Sequence, residues 1–78
     1  MPKFHINFRH RDRIVIDGVG VELGGLEEAR QAALHSARGL MAYCVKWGSS
    51  RPMEAVVITD ESGRALLTIR ATEVSPEP

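Results

Sequence analysis

The chain has 78 residues, with ten basic and ten acidic side chains and therefore no formal net charge. A chain of this length buries only about 60% of the surface of its extended form, which suffices for one small core and excludes a second domain. Apolar residues make up 44% of the sequence, too many at zero net charge for a disordered chain. The composition is that of a small globular domain.

Cys44 is the only cysteine, so no disulfide can form within the chain. Secreted domains of this size usually depend on several disulfides, which favours a reducing, cytoplasmic location. No stretch approaches the ~20 apolar residues of a membrane span, and the N-terminus lacks the apolar centre of a signal peptide. We therefore expect a cytoplasmic protein without a membrane partner.

The first third of the chain has the alternation of β-structure. Apolar and polar residues alternate over residues 3–9, which predicts a strand with one dry face. A short polar turn leads into the apolar run 14–16, and this arrangement predicts a hairpin. Asp17-Gly18 breaks or bulges the returning strand, and extended structure resumes over residues 19–23.

A long amphipathic helix is predicted from Leu26 to Trp47, because apolar residues recur there at steps of three and four. Glu27 and Glu28 lie in its first turn, where the helix dipole favours anions, and Gly48 provides a C-terminal stop. At about 33 Å, a helix of this length should overhang a sheet of six-residue strands.

The apolar runs 55–59 and 65–69 flank Asp60-Glu61-Ser62-Gly63, whose glycine suits the left-handed position of a hairpin turn. We therefore predict an α+β fold, a single ββαββ domain over residues 1–72. Its four-stranded antiparallel sheet packs one long amphipathic helix on one face. Residues 73–78 contain two prolines and no pattern, which predicts a disordered C-terminal tail.

Three segments in this order resemble a family of short bacterial proteins known as domain of unknown function 6894. They are Met1-Pro2-Lys3-Phe4, then Gly20-Val21-Glu22-Leu23 with Leu26-Glu27-Glu28-Ala29-Arg30, then Ile58 to Arg64 with Leu66-Leu67-Thr68-Ile69. The resemblance implies a fold and no activity. The basic turn Arg9-His10-Arg11-Asp12-Arg13 departs from the acidic or glycine-bearing turn usual in that family. A looser likeness, in the Glu22 to Ala29 segment, is to antitoxin domains of the HicB kind.

Small side chains along one flank of the predicted helix point to self-association. The candidate residues, with two aromatic side chains toward the helix end, are Ala32, Ser36, Gly39, Tyr43 and Trp47. Either the helix crosses closely over its own sheet at this flank, or a second copy packs there or on an exposed strand edge. We expect a non-enzymatic interaction module that forms a homodimer, and an unknown protein partner stays open.

Basic residues near the first hairpin offer an alternative function, a nucleic-acid or antitoxin-type regulator. The candidate anion or nucleic-acid contacts are Lys3, Arg9, Arg11 and Arg13. Nucleic-acid binding normally rests on many cations, and acidic segments accompany these few, so the sequence disfavours a nucleic-acid partner.

The sequence contains little that suggests catalysis. Pro2 at the start of a strand, with arginines following, resembles small tautomerases whose N-terminal proline amine is a base, provided that Arg9, Arg11 or Arg13 lies nearby. The histidines and Cys44 have no metal-ligand spacing, and the glycines before the helix match no phosphate-loop pattern. We expect no catalytic residue, no cofactor and no metal.

Overall fold

The computed structural model describes residues 1–11, 13–47 and 53–74, without the side chains of residues 42–47. Its strands are β1 (Lys3–His10), β2 (Ile14–Val15), β3 (Val21–Glu22), β4 (Met53–Thr59) and β5 (Ala65–Arg70). Helix α1 spans Leu26–Trp47, and a 3₁₀ turn at Ala71–Glu73 follows β5. The predicted α+β class, the strand and helix order and the helix bounds are confirmed.

The sheet is antiparallel, with the order β2-β1-β4-β5. Strand β3 also pairs with β1, so β2 and β3 occupy the same side of β1 at its two ends. Phe8 pairs with Val15, and Phe4 pairs with Val21. The prediction of four strands is corrected here, because the second strand is two short pieces and the sheet has five strands. Residues 14–22, which contain both pieces, are called the edge segment below.

One face of the sheet carries the core. Cross-strand partners share a face, so the register places Phe8, Val56 and Ile69 in one row and Ile6, Ile58 and Leu67 in the next. Helix α1 covers this face with three fully buried alanines and Leu34; the alanines are Ala29, Ala33 and Ala37. Alanine at the contact lets a helix approach a sheet closely, as expected from ridge-and-groove packing.

A β-bulge turns the start of β4 toward the core. The register between β1 and β4 shifts at Arg9 and His10, so that Met53 pairs with His10 while Ala55 pairs with Arg9. Met53 consequently packs in the core on the helix side, although a strict alternation would place it with Ala55 on the opposite face. The face that α1 does not cover is called the open face, and it carries Arg9 and Ala55.

The chain after β5 turns back toward the core. Residues 71–73 form the 3₁₀ turn, and Val74 is buried against the core cluster. The predicted domain boundary at residue 72 falls inside this turn, and residues 75–78 of the predicted tail lie outside the described residues.

At the start of α1, Leu26 is exposed, although its position in the apolar period predicted burial. Within the described chain, no helix combines the length and apolar character needed to span a membrane.

Candidate functional site

The edge segment is interrupted at Asp17, whose carboxylate occupies the gap between β2 and β3. Its Oδ2 accepts a hydrogen bond from the backbone N–H of Ile6 in β1 at 3.2 Å. Its Oδ1 accepts the N–H groups of Val19 and Gly20 at 3.1 and 3.0 Å. A side chain therefore replaces the ladder hydrogen bond that a continuous strand would supply to Ile6.

Asn7 anchors the same gap from the open face. Its side-chain amide donates to the Val57 carbonyl at 3.1 Å and to Thr59 Oγ1 at 3.2 Å, while its Oδ1 accepts the N–H of Asp17 at 2.9 Å. Only 4% of Asn7 is exposed, and these bonds satisfy its buried polar atoms. Asn7 thus joins the edge segment to β4 across β1.

His5 completes this polar cluster. Its Nδ1 lies 2.6 Å from the backbone carbonyl oxygen of Asp17, a distance at which a protonated Nδ1 donates to that oxygen. The pKa of Asp17 is lowered, chiefly by the hydrogen bond from the Gly20 N–H, although partial burial opposes the shift. The Asp17 carboxylate is therefore ionised near neutral pH and is occupied by backbone donors.

A cavity of about 370 Å³ adjoins this cluster on the open face. It lies between the Asp17 loop and the β4–β5 turn, and its lining includes His5, Asn7, Thr59 and Ser62. The described residues contain no group of three metal-ligating side chains. The polar groups that converge here hold the chain together, and their contacts explain the shape of the cavity without a ligand.

An apolar groove of about 440 Å³ lies on the other side of the edge segment, between that segment and α1. Its floor and outer wall are formed by Ile6, Phe8, Val15, Ile16 and Val21, and Asp17 adds one carboxylate to the lining. Ala32 and Ser36 form the wall contributed by the helix. The groove exists because α1 packs mainly over β4 and the middle of the sheet, so that the edge segment extends beyond the helix.

Exposed apolar side chains concentrate in the edge segment and at the start of α1. Eight large apolar side chains are exposed in the described part of the chain, and six of them lie between residues 14 and 26. They are Ile14, Val15, Ile16, Val19, Val21 and Leu26. Val15, Ile16 and Val21 line the groove, whereas Ile14 pairs with Arg9 and so lies on the open face. Sequence reasoning missed the exposure of these residues because the same alternation also suits a strand with one buried face.

The structure places three of the five predicted self-association residues on one flank of α1. Ala32 and Ser36 line the groove, and Gly39 is exposed one turn further along. A methyl group built on Gly39 would meet no atom of the described residues within 4 Å, so the helix does not cross the described part of the sheet closely at this residue. Tyr43 and Trp47 belong to α1, but their side chains lie outside the described residues.

The four basic candidates do not form one group. Lys3 pairs with Glu22 at the beginning of β1, whereas Arg9 lies near its end, about 20 Å away at the usual rise per residue. Arg11 and Arg13 are exposed beside the end that carries Arg9.

The strand register adds a basic residue that sequence reasoning missed. Arg70 on β5 pairs with Ala55, which is also the partner of Arg9. The sequence contained one sign of this position, since polar Thr68 and Arg70 alternate with apolar Ile69 along β5.

Pro2 lies at the far end of β1 from these arginines. Its carbonyl oxygen accepts the N–H of Leu23 at 3.1 Å, which holds the start of the chain against the residue that follows β3. Seven residues of extended chain separate Pro2 from Arg9, a distance of about 23 Å. The arrangement that tautomerase-like chemistry requires, a proline amine beside Arg9, Arg11 or Arg13, is not formed within this protomer.

Comparison with known proteins identifies a family and no activity. No curated protein and no solved structure shows significant similarity to the chain. A family model described as a domain of unknown function, DUF6894, matches residues 3–72. This match spans β1 to the 3₁₀ turn and covers the polar cluster and the apolar groove. The chain therefore belongs to the DUF6894 family.

Proposed function

We propose that this domain is a non-enzymatic interaction module that self-associates as a homodimer through the apolar groove. The observation that carries the proposal is the groove itself, with exposed Val15, Ile16 and Val21 on one wall and Ala32 and Ser36 on the other. Removing apolar surface from water stabilises an interface by roughly 25 cal/mol per Å². A surface of this kind is therefore a favourable place for a partner to bind.

The helix wall of the groove is shaped for close approach. Ala32, Ser36 and Gly39 carry small side chains and occupy one flank of α1, and no atom of the described residues fills the space beside Gly39. A partner helix can therefore lie near the α1 backbone without steric conflict. Bulkier residues at these positions would keep the two surfaces apart.

Charge favours a second copy as the occupant. Carboxylates outnumber cations at the end where α1 begins, with Glu22, Glu27 and Glu28 close together in sequence, and arginines dominate the opposite end, with Arg9 and Arg11. Two copies related by a two-fold axis perpendicular to α1 place their helices antiparallel, so the acidic end of one lies beside the basic end of the other. Zero net charge removes the long-range repulsion that opposes association of like molecules.

The polar cluster gives a reason to regard the module as non-enzymatic. The Asp17 carboxylate accepts a backbone N–H, and the Asn7 amide is hydrogen-bonded to backbone groups and to Thr59. A general base or nucleophile needs an atom directed at substrate, and these atoms are directed at the protein. We also propose a cytoplasmic location, since small domains in oxidising compartments are usually stabilised by several disulfides and a chain with one cysteine can form none internally.

The test is sedimentation equilibrium of the wild-type chain and of two variants that each add one arginine to α1. Ser36→Arg places a charge in the groove, and His35→Arg places the same charge on the neighbouring exposed position outside it. We expect a wild-type dimer, a monomeric Ser36→Arg variant and a dimeric His35→Arg variant. A wild-type monomer at all concentrations overturns the proposal, and equal dimerisation of the two variants removes the groove from the interface.

A further inference from the structure

We infer that the open face carries an anion site in which Arg9 and Arg70 hold a phosphate-type oxyanion above Ala55. This site is separate from the apolar groove, which lies on the helix side of the sheet. It adds a ligand-binding role to the proposed self-association and does not depend on it.

The strand register brings the two arginines together. Arg9 on β1 and Arg70 on β5 both pair with Ala55 on β4, so all three residues share one row and one face of the sheet. Adjacent strands lie about 4.8 Å apart, which places the two arginine backbones about 10 Å apart with a methyl group between them. Two guanidinium groups on long side chains can converge over so small a central residue.

Neither charge of this pair is engaged in an ion pair. Both arginines are exposed, and neither forms an ion pair with a carboxylate among the described residues. The Glu73 carboxylate lies nearby but accepts the backbone N–H of Arg70 at 2.8 Å. The two like charges lie on one face about 10 Å apart, on strands separated by β4, and an anion bound between them attracts both.

The chemistry of the row favours a compact oxyanion. Guanidinium groups bind the oxygens of a phosphate in bidentate fashion, and two of them on opposite sides match a tetrahedral dianion. Thr68, one row along on β5, adds an exposed hydroxyl to the same face. The rows of this face formed by β1, β4 and β5 hold no phenylalanine, tyrosine or tryptophan, so they lack the usual stacking platform with which proteins bind single-stranded nucleic acid.

The experiment is a titration of the ¹⁵N-labelled chain with inorganic phosphate, followed by NMR at constant ionic strength with chloride as the balancing anion. We expect saturable shifts of the Arg9, Ala55 and Arg70 resonances. Arg9→Gln and Arg70→Gln should each weaken phosphate binding about fivefold, the effect of one well-placed exposed ion pair. Arg64→Gln, which removes an exposed arginine just before β5, should leave the affinity unchanged.

The site is disproved if chloride alone produces the same shifts, or if Arg64→Gln weakens binding as much as Arg9→Gln. Binding of a single-stranded oligonucleotide in place of phosphate, lost in the Arg11→Gln, Arg13→Gln double variant and kept in Arg70→Gln, would also overturn it. That result would assign the basic end to nucleic acid. The Ser36→Arg variant should bind phosphate normally, so failure of the self-association proposal leaves this site standing.

Discussion

Two turns of this molecule are built from the same short pattern, an aspartate followed three residues later by glycine. They are Asp17-Gly18-Val19-Gly20 in the edge segment and Asp60-Glu61-Ser62-Gly63 between β4 and β5. In both turns the aspartate accepts nearby backbone N–H groups, and the glycine has a positive φ, +81° at Gly20 and +88° at Gly63. The local chemistry of the two turns is nearly the same.

Their roles in the fold differ because only one aspartate reaches beyond its own turn. Within the described residues, the side-chain bonds of Asp60 go to Ser62 and Arg64, two and four residues away. Asp17 also binds the N–H of Ile6 in the neighbouring strand. One turn therefore closes a hairpin, whereas the other replaces part of a strand. The same pattern can serve local geometry alone or tertiary structure as well.

The largest effect should come from the aspartates. We expect Asp17→Ala to lower the free energy of unfolding by about 2 kcal/mol, because the Ile6 N–H in the sheet loses its acceptor. Asp60→Ala should cost less, since its exposed donors turn to water. Urea unfolding at neutral pH measures both values. Equal losses would show that the Asp17 bond to β1 contributes nothing beyond its turn.

The two glycines sharpen the comparison. An alanine at a positive φ costs about 1–2 kcal/mol in either turn. A Cβ on Gly20 would also lie 3.0 Å from His5 Cε1 and from the Lys3 side chain, whereas a Cβ on Gly63 meets nothing within 4 Å. We therefore expect Gly20→Ala to lower the midpoint of thermal unfolding more than Gly63→Ala. The reverse order would mean that His5 and Lys3 move aside freely.

The smallest expected effect is a decrease in the free energy of unfolding at low pH. Hydrogen bonds from Gly20 to Asp17 and from Ser62 to Asp60 lower the pKa of each carboxylate below its ordinary value. A lowered pKa in the folded state adds stability that is fully present above the unfolded pKa of about 3.9 and is lost as the pH falls through the folded pKa. The free energy of unfolding, measured in urea at pH 6 and pH 3, should decrease less between the two pH values in Asp17→Asn and Asp60→Asn than in the wild type. An unchanged loss in both variants would contradict the assignment.

Much of the fold was predictable because its signals are local. The change of period at Leu26 located the helix, the alternation over 3–9 located β1, and Gly63 marked the second turn. The split of the second strand was not predictable, since it depends on Asp17 meeting Ile6 across the gap. The exposure of Leu26 was missed as well, because periodicity describes the face of a helix and not whether the sheet extends beneath it.

The candidate sites were predicted in part for the same reason. Ala32, Ser36 and Gly39 were identified from their spacing on α1, and the structure adds the wall of apolar residues opposite them. The predicted basic residues do not lie together, because Lys3 and Arg9 are at opposite ends of β1. Arg70 was recognised only from the strand register.

The amino-acid sequence by itself determined the element order, the bounds of α1, the buried stripe of alanines and the turn glycines, because each follows from neighbours within a few residues. Tertiary structure alone decided the five-stranded edge, the placement of Met53 in the core, the apolar groove and the meeting of Arg9 with Arg70. These features depend on strand register and on where one helix rests on the sheet. A shift of one residue turns every side chain of a strand to the other face, and only the packed core selects among such shifts.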